Sequence, residues 1–305
     1  YESPLRRRPR DEIRSISPSK PFLRWVLKYL KGIRTPLIRA AWRRRLSAEA
    51  AIRMRALLRP HPRQIRVENR LLGDGARVFV VAEIGINHNG SLERAKSLID
   101  AASAAGADAV KFQKRSLSDA YQARVVESPE DNEQSFQYLI PLLKAYELGE
   151  GDWRALAAHA EKKNILLFAT PFDEASVGFL ERVINPPLYK IASADLIAIP
   201  LIERILETQK PIILSTGMAT SEEIDHTAAL LHRRRAQFIL MHTHSAYPAP
   251  VDHLNLAMIK ALRERYGVPT GYSGHELGIE HTLQAAALGA CVIERHITLD
   301  RGLPG

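Results

Sequence analysis

The sequence predicts a closed (β/α)8 barrel, and three observations carry that prediction. From Arg77 onward, short apolar, β-branched runs alternate with helical patterns, which argues βα units on a parallel sheet. There are eight such runs, short and evenly spaced, and an open doubly wound sheet rarely needs that many. Almost every run ends in a polar or charged residue, and in a barrel those ends converge on one mouth.

The elements follow in chain order. Strands are expected near 78–84, 108–113, 165–169, 188–191, 211–214, 237–243, 268–272 and 290–295. Helices are expected near 91–105, 152–163, 173–183, 199–207, 220–232, 254–264 and 279–288. Residues 114–150 form a long connection with polar and Pro-containing stretches, a candidate lid or subunit-contact loop. After the eighth strand, where Val292 and Ile297 are read on the outer face, the sequence stops at Gly305. The expectation is a barrel cut short before its eighth helix.

Charge divides the 305-residue chain in two. Residues 1–70 hold 20 Lys+Arg against 5 Asp+Glu, or +15, while the remaining 235 hold 23 against 29, or −6. The basic character belongs to an N-terminal extension, and the acidic body from about residue 76 makes a poor general nucleic-acid binder. Within the extension, Phe22, Val26, Tyr29 and Ile33 share a helical face, and a second stretch from Leu37 to Leu58 is rich in arginine. Residues 20–58 are therefore a candidate membrane-surface contact, the alternatives being a helix that docks on a partner or a poorly structured extension. Cys291 is the single cysteine, which excludes a disulfide framework and a multi-cysteine zinc site. No apolar run reaches the ~18 residues of a membrane span, and no secretory signal is visible, so a cytoplasmic setting is expected.

The strand ends suggest a chemistry. Lys111, Lys190, Ser193, Ser215 and Ser273 suit a small, multiply charged anion, since lysines supply charge and hydroxyls supply oriented donors. Gly85 and Gly217 let backbone approach closely. His275 and His296 end adjacent strands. Two neutral imidazoles there suit a divalent metal that also binds substrate, or rings held by carboxylates. Glu83 is either a base or hydroxyl acceptor, or the salt-bridge partner of Lys111.

The segments AEIGINHNG (82–90), DAVKFQ (108–113), ATPFD (169–173), YKIAS (189–193), ILSTGMAT (213–220), SAYPAP (245–250), GVPTGYSGHELGIE (267–280) and VIERHITLDRGLPG (292–305) resemble the N-acetylneuraminate (sialic acid) synthase family, which includes the legionaminic and pseudaminic acid synthases. The likeness covers about residues 76–305, with the motifs in order at the expected strand ends. It implies a transferase that condenses phosphoenolpyruvate (PEP) with an N-acetylmannosamine-type amino sugar, giving a nonulosonate and phosphate. It implies Glu83, Lys111 and Lys190 as catalytic residues, and Lys111, Thr170, Lys190, Ser193, Ser215 and Ser273 around PEP. Glu83, Asp195 and Tyr247 would face the sugar, and His275 and His296 would hold manganese or magnesium. A homodimer is also implied.

Three departures from the family pattern stand out. Gly274 replaces an Asp in the usual GYSDH, and His244 stands where a small residue is common. An Asp-His pair, the eighth helix and an antifreeze-like domain that follow in the family lie beyond Gly305. Two alternatives accompany the main reading: another PEP–aldose 3-deoxy-keto-acid synthase, or an inactive paralogue tethered through its basic leader to a membrane or partner.

Overall fold

The computed structural model describes residues 64–304. The expected helices and membrane contact within residues 20–58 lie outside the described residues. Two short strands open it, β1 (Gln64–Val67) and β2 (Arg70–Gly73), paired antiparallel with Val67 opposite Arg70. Eight parallel strands follow: β3 (Phe79–Gly85), β4 (Ala109–Lys114), β5 (Leu166–Pro171), β6 (Tyr189–Ile191), β7 (Ile212–Ser215), β8 (Phe238–Thr243), β9 (Thr270–Gly274) and β10 (Val292–His296). They close in sequence order, with β10 returning to pair with β3, Val292 opposite Phe79 and His296 opposite Glu83. All eight expected barrel strands are present, with ends shifted by two residues or fewer.

Period-2 alternation sets two layers inside the barrel. The inward positions of the lower layer are Val81, Ala109, Phe168, Leu188, Ile213, Met241 and Val292, all buried in one apolar cluster. Two residues further along the same strands, the inward positions become Glu83, Lys111, Thr170, Lys190, Ser215, Thr243 and Glu294. A dry layer thus supports a polar one. Val292 belongs to the inner layer and is fully buried, which corrects its expected place on the outer face.

The hairpin was not anticipated, because charge counting placed the barrel boundary after residue 70. Ile65, Val67 and Leu72 are buried in the same cluster as Phe79, Val81 and Val292. Arg70 of β2 donates to Asp108 at 2.6 Å, and Asp108 also accepts from the Val80 backbone N–H. The body therefore extends back to Gln64.

The outward strand positions pack on the helices. Ile84, Val110, Phe112, Leu167, Tyr189, Leu214 and Leu240 share a core with Leu98, Trp153, Val177, Ile202, Leu231 and Leu262. Each such aliphatic burial contributes about 1.5–3 kcal/mol against unfolding. The helices are α1 (Leu92–Ala104), α2 (Leu117–Ala120), α3 (Ala123–Glu127), α4 (Gln134–Ala145), α5 (Glu150–Lys162), α6 (Glu174–Val183), α7 (Ile199–Glu207), α8 (Ser221–Arg234), α9 (Met258–Tyr266) and α10 (Glu280–Ala287). Side-chain caps fix several starts: Ser91 for α1, Asp173 for α6, and a Thr220–Glu223 capping box for α8.

Two expectations shift. The connection after β4 is largely helical (α2 to α4), and Ile140, Leu143 and Leu148 are buried. Pro141 inside α4 disguised that helix in the sequence. α9 starts at Met258 rather than near 254, because a 3-10 turn at Val251–His253 and a left-handed Asn255 come first. No helix among the described residues is long and apolar enough to cross a membrane.

Candidate active site

The polar layer at the strand ends is an interlocked set of charges. Lys111, at the centre of β4, places its ammonium 2.8 Å from Glu83 and donates to the Thr170 hydroxyl at 3.0 Å. Glu294 of β10 lies 3.7 Å from Lys111 and 3.5 Å from Lys190 and accepts from the Ser273 hydroxyl at 3.1 Å. All of these residues are buried. Burial works against ionisation of Glu294, but the Lys111 and Lys190 charges outweigh it and hold its pKa down to about 2. Burial likewise opposes the charge on Lys111, and Glu294 with Glu83 reverses the effect, so its pKa is raised. For Lys190 burial dominates and the pKa is lowered.

Glu83 therefore does form the ion pair with Lys111 that one reading allowed. Its second oxygen accepts from the Gln113 amide at 3.0 Å. Gly85 makes room for that bond: it has φ +56°, and a Cβ there would stand 3.1 Å from Glu83 Oε1 and 3.2 Å from Gln113 Nε2.

On the opposite side of the ring, the Ser193 hydroxyl accepts from the Gly217 N–H at 3.1 Å, and Thr243 donates to Ser215 at 3.3 Å. Gly217 is tight against the next strand, where a Cβ would lie 2.6 Å from both the Thr243 carbonyl and the Ser245 hydroxyl.

His275 and His296 come together as expected, ring centroids 5.5 Å apart. The Tyr247 ring lies 4.1 Å from His275 and 5.8 Å from His296. The His275 Nδ1–H donates to the His244 carbonyl at 2.8 Å, which leaves Nε2 as the nitrogen with a lone pair. Burial lowers the pKa of both imidazoles, favouring the neutral form that ligates metal. The donor set thus fits a divalent ion that takes two protein nitrogens and fills its remaining positions with water or substrate. Among the described residues no group of three His, Cys, Asp or Glu side chains forms a closed site. His244 contributes its carbonyl, while its ring faces His253 at 6.0 Å.

Asp195 lies beyond β6, in the 3-10 turn Ser193–Asp195. One of its carboxylate oxygens is buried without a hydrogen bond, and burial pushes its pKa up to about 6 although Arg115 opposes the shift. Sequence reasoning places Gln113 and Glu294 at strand ends without giving them a role, and it passes over Thr243 and Arg115. The signal for Glu294 was its position two residues before His296, on the same face of the strand.

The replacement of Asp by Gly274 has a physical counterpart. A Cβ at Gly274 would meet Glu276 Oε2, an Arg295 nitrogen and the Tyr272 ring at 2.7–2.8 Å. Glu276 fills that space, accepting from the Tyr272 hydroxyl at 2.8 Å and pairing with Arg295.

Comparison with known proteins fits this geometry. The family described as the NeuB family matches residues 98–305. An N,N'-diacetyllegionaminic acid synthase of Campylobacter jejuni is 37% identical over 241 residues, covering 75% of this chain and 70% of that protein. The chain belongs to the NeuB family. The human N-acetylneuraminate-9-phosphate synthase is 34% identical over 238 residues, covering 77% of this chain and 66% of that one. Among solved structures, an N-acetylneuraminic acid synthetase from Leptospira borgpetersenii in complex with citrate superposes with a TM-score of 0.71 at 37% identity, covering 79% of this chain and 80% of that chain. As a NeuB-family barrel the protein is an enzyme of the acid-synthase kind.

Proposed function

We propose that this NeuB-family barrel condenses phosphoenolpyruvate with the open-chain aldehyde of an N-acetylmannosamine-type amino sugar, giving a nonulosonate and inorganic phosphate. One observation carries the reading: two buried lysines, counter-charged by Glu83 and Glu294, with the hydroxyls of Thr170 and Ser273 bonded into the set and those of Ser215 and Ser193 at the ends of neighbouring strands. That ring suits a compact ligand bearing both phosphate and carboxylate, because charge and oriented donors are supplied together. Lys190, held by its carboxylate only at 3.5 Å, offers its donors to such an anion.

C3 of PEP bonds to the aldehyde carbon, whose oxygen takes a proton and becomes a hydroxyl. Water adds at C2. The bond between C2 and the phosphate oxygen then breaks, phosphate departs, and the new C2 hydroxyl loses its proton to become the ketone. Glu83 lies beside Lys111 and is suited to hold the proton that the water surrenders. Lys111 and Lys190 balance the charge of PEP and of the leaving phosphate. Asp195 and Tyr247 line the sugar side. His275 and His296 would hold manganese or magnesium, which would supply Lewis-acid polarisation of the aldehyde.

The test is phosphate release from PEP with a panel of amino sugars: N-acetylmannosamine, its 6-phosphate, and diacetamido-trideoxy hexoses. Release that depends on one of them, with a nine-carbon keto acid as product, is the expected result. Release with a five-carbon aldose phosphate instead would point to an eight-carbon acid. Absence of release with every sugar would overturn the reading.

A further inference from the structure

We infer that Arg115 is a positioning residue that sets the rotamer of the Glu83 carboxylate through the Gln113 side-chain amide. The three side chains form one directed line. The Arg115 Nη1 donates to Gln113 Oε1 at 2.9 Å, and the Gln113 Nε2 donates to Glu83 Oε1 at 3.0 Å. Glu83 then presents its other oxygen to Lys111 at 2.8 Å.

An amide can face either way, and here both ends are specified. A guanidinium only donates, so the atom it touches must be the carbonyl oxygen, and the amino group must then turn to Glu83. Without Arg115, a flipped amide would aim its oxygen at a carboxylate, and Glu83 would lose its second partner. The guanidinium is itself fixed. Its Cζ lies over the Phe172 ring, 3.5 Å from the centroid, and a lysine ammonium there would lack the fork that also reaches Gln113. Burial works against the Arg115 charge, while Tyr121, Asp195, Glu83 and Asp173 favour it, so the guanidinium faces an acidic part of the mouth. The bare Gly85 keeps the Glu83–Gln113 bond unobstructed.

The kinetic arm of the test rests on the proposed condensation; a spectroscopic arm does not. In Arg115→Met, kcat for phosphate release should fall on the order of tenfold or more, since small misplacements of a reacting group carry that cost. The KM for PEP should hold within about twofold, because Arg115 and Gln113 bond none of the lysines or hydroxyls assigned to PEP. Arg115→Lys should recover little of the loss, having charge without the fork. The double variant with Gln113→Ala should be no slower than Gln113→Ala alone, as expected for residues acting in series. Additive losses, or a raised sugar KM with unchanged kcat, would mean that Arg115 touches the sugar directly and would overturn the proposal. Independently of turnover, the Gln113 side-chain amide should give a resolved NMR signal in the unmodified protein, assigned by its absence from Gln113→Ala. It should shift or broaden in Arg115→Met. An unchanged amide signal there defeats the inference even if the enzyme proves to act on other substrates.

Discussion

The Glu294 carboxylate stands 3.5 Å from the Lys190 ammonium, both side chains buried at the strand ends of the barrel. With Glu83 and Lys111 they make a balanced set of two anions and two cations. Glu294→Gln would leave two buried cations facing one carboxylate. The expected cost is about 3–5 kcal/mol in urea unfolding, because removing one partner strands a buried charge. Unchanged stability would show that water reaches this layer freely.

The histidine pair predicts a metal requirement. Dialysis against a chelator should abolish phosphate release, and manganese should restore it. His275→Ala and His296→Ala should lose roughly several kcal/mol of transition-state stabilisation while keeping the fold. Full turnover of either variant in chelator contradicts the assignment.

Asp195 predicts a slope of stability with pH. Its folded pKa, about 6, lies above the ordinary 3.8 because burial disfavours the anion. Its contribution is therefore fully present below pH 3.8 and is lost as pH rises through about 6. After screening of a partly exposed group, the effect is no more than about 1–2 kcal/mol. Asp195→Asn should gain stability relative to the native protein between pH 4 and 7. Parallel pH profiles for the two would remove Asp195 as the source.

The hairpin predicts where the chain can be shortened. A protein starting at Gln64 should keep its melting temperature and turnover. One starting at Leu71 loses Ile65 and Val67, each worth about 1.5–3 kcal/mol, together with the Arg70–Asp108 bond. It should melt well below the first. Leu72→Ala, at a fully buried position, should cost about 2–5 kcal/mol. Equal melting of both shortened forms would show that the hairpin is dispensable.

Gly274→Asp restores the common motif residue yet collides with Glu276, Arg295 and Tyr272. It should destabilise by about 1–3 kcal/mol. The companion change Glu276→Thr should relieve much of that, a coupling visible in a double-mutant cycle. Additive effects would mean that Glu276 does not fill the vacated space.

The barrel was legible in the sequence because its signal is repeated eight times: an apolar, β-branched run capped by a polar residue. Lys111, Lys190, His275 and His296 stood out for the same reason. The hairpin escaped because Arg63, Arg66 and Arg70 surround Ile65 and Val67, so charge counting hid an alternating apolar face. α4 escaped because Pro141 interrupts its pattern. The line from Arg115 to Glu83 was invisible since it runs across a register shift between β3 and β4, which only the backbone path reveals.

Ring closure joins segments that are distant in sequence: Asn87 reaches the carbonyl of Ile297, 210 residues along the chain. The strands on either side of that seam are β3 and β10, which carry Glu83, Glu294 and His296. During synthesis, half of the site's ionic layer waits beside an open edge until the last strand leaves the ribosome. Contacts this remote are slow to form, because the entropy of closing the loop is lost before they return anything. Until then Lys111 lacks Glu294 and Lys190 has no carboxylate partner. The site's charge balance is therefore complete only when the barrel has closed.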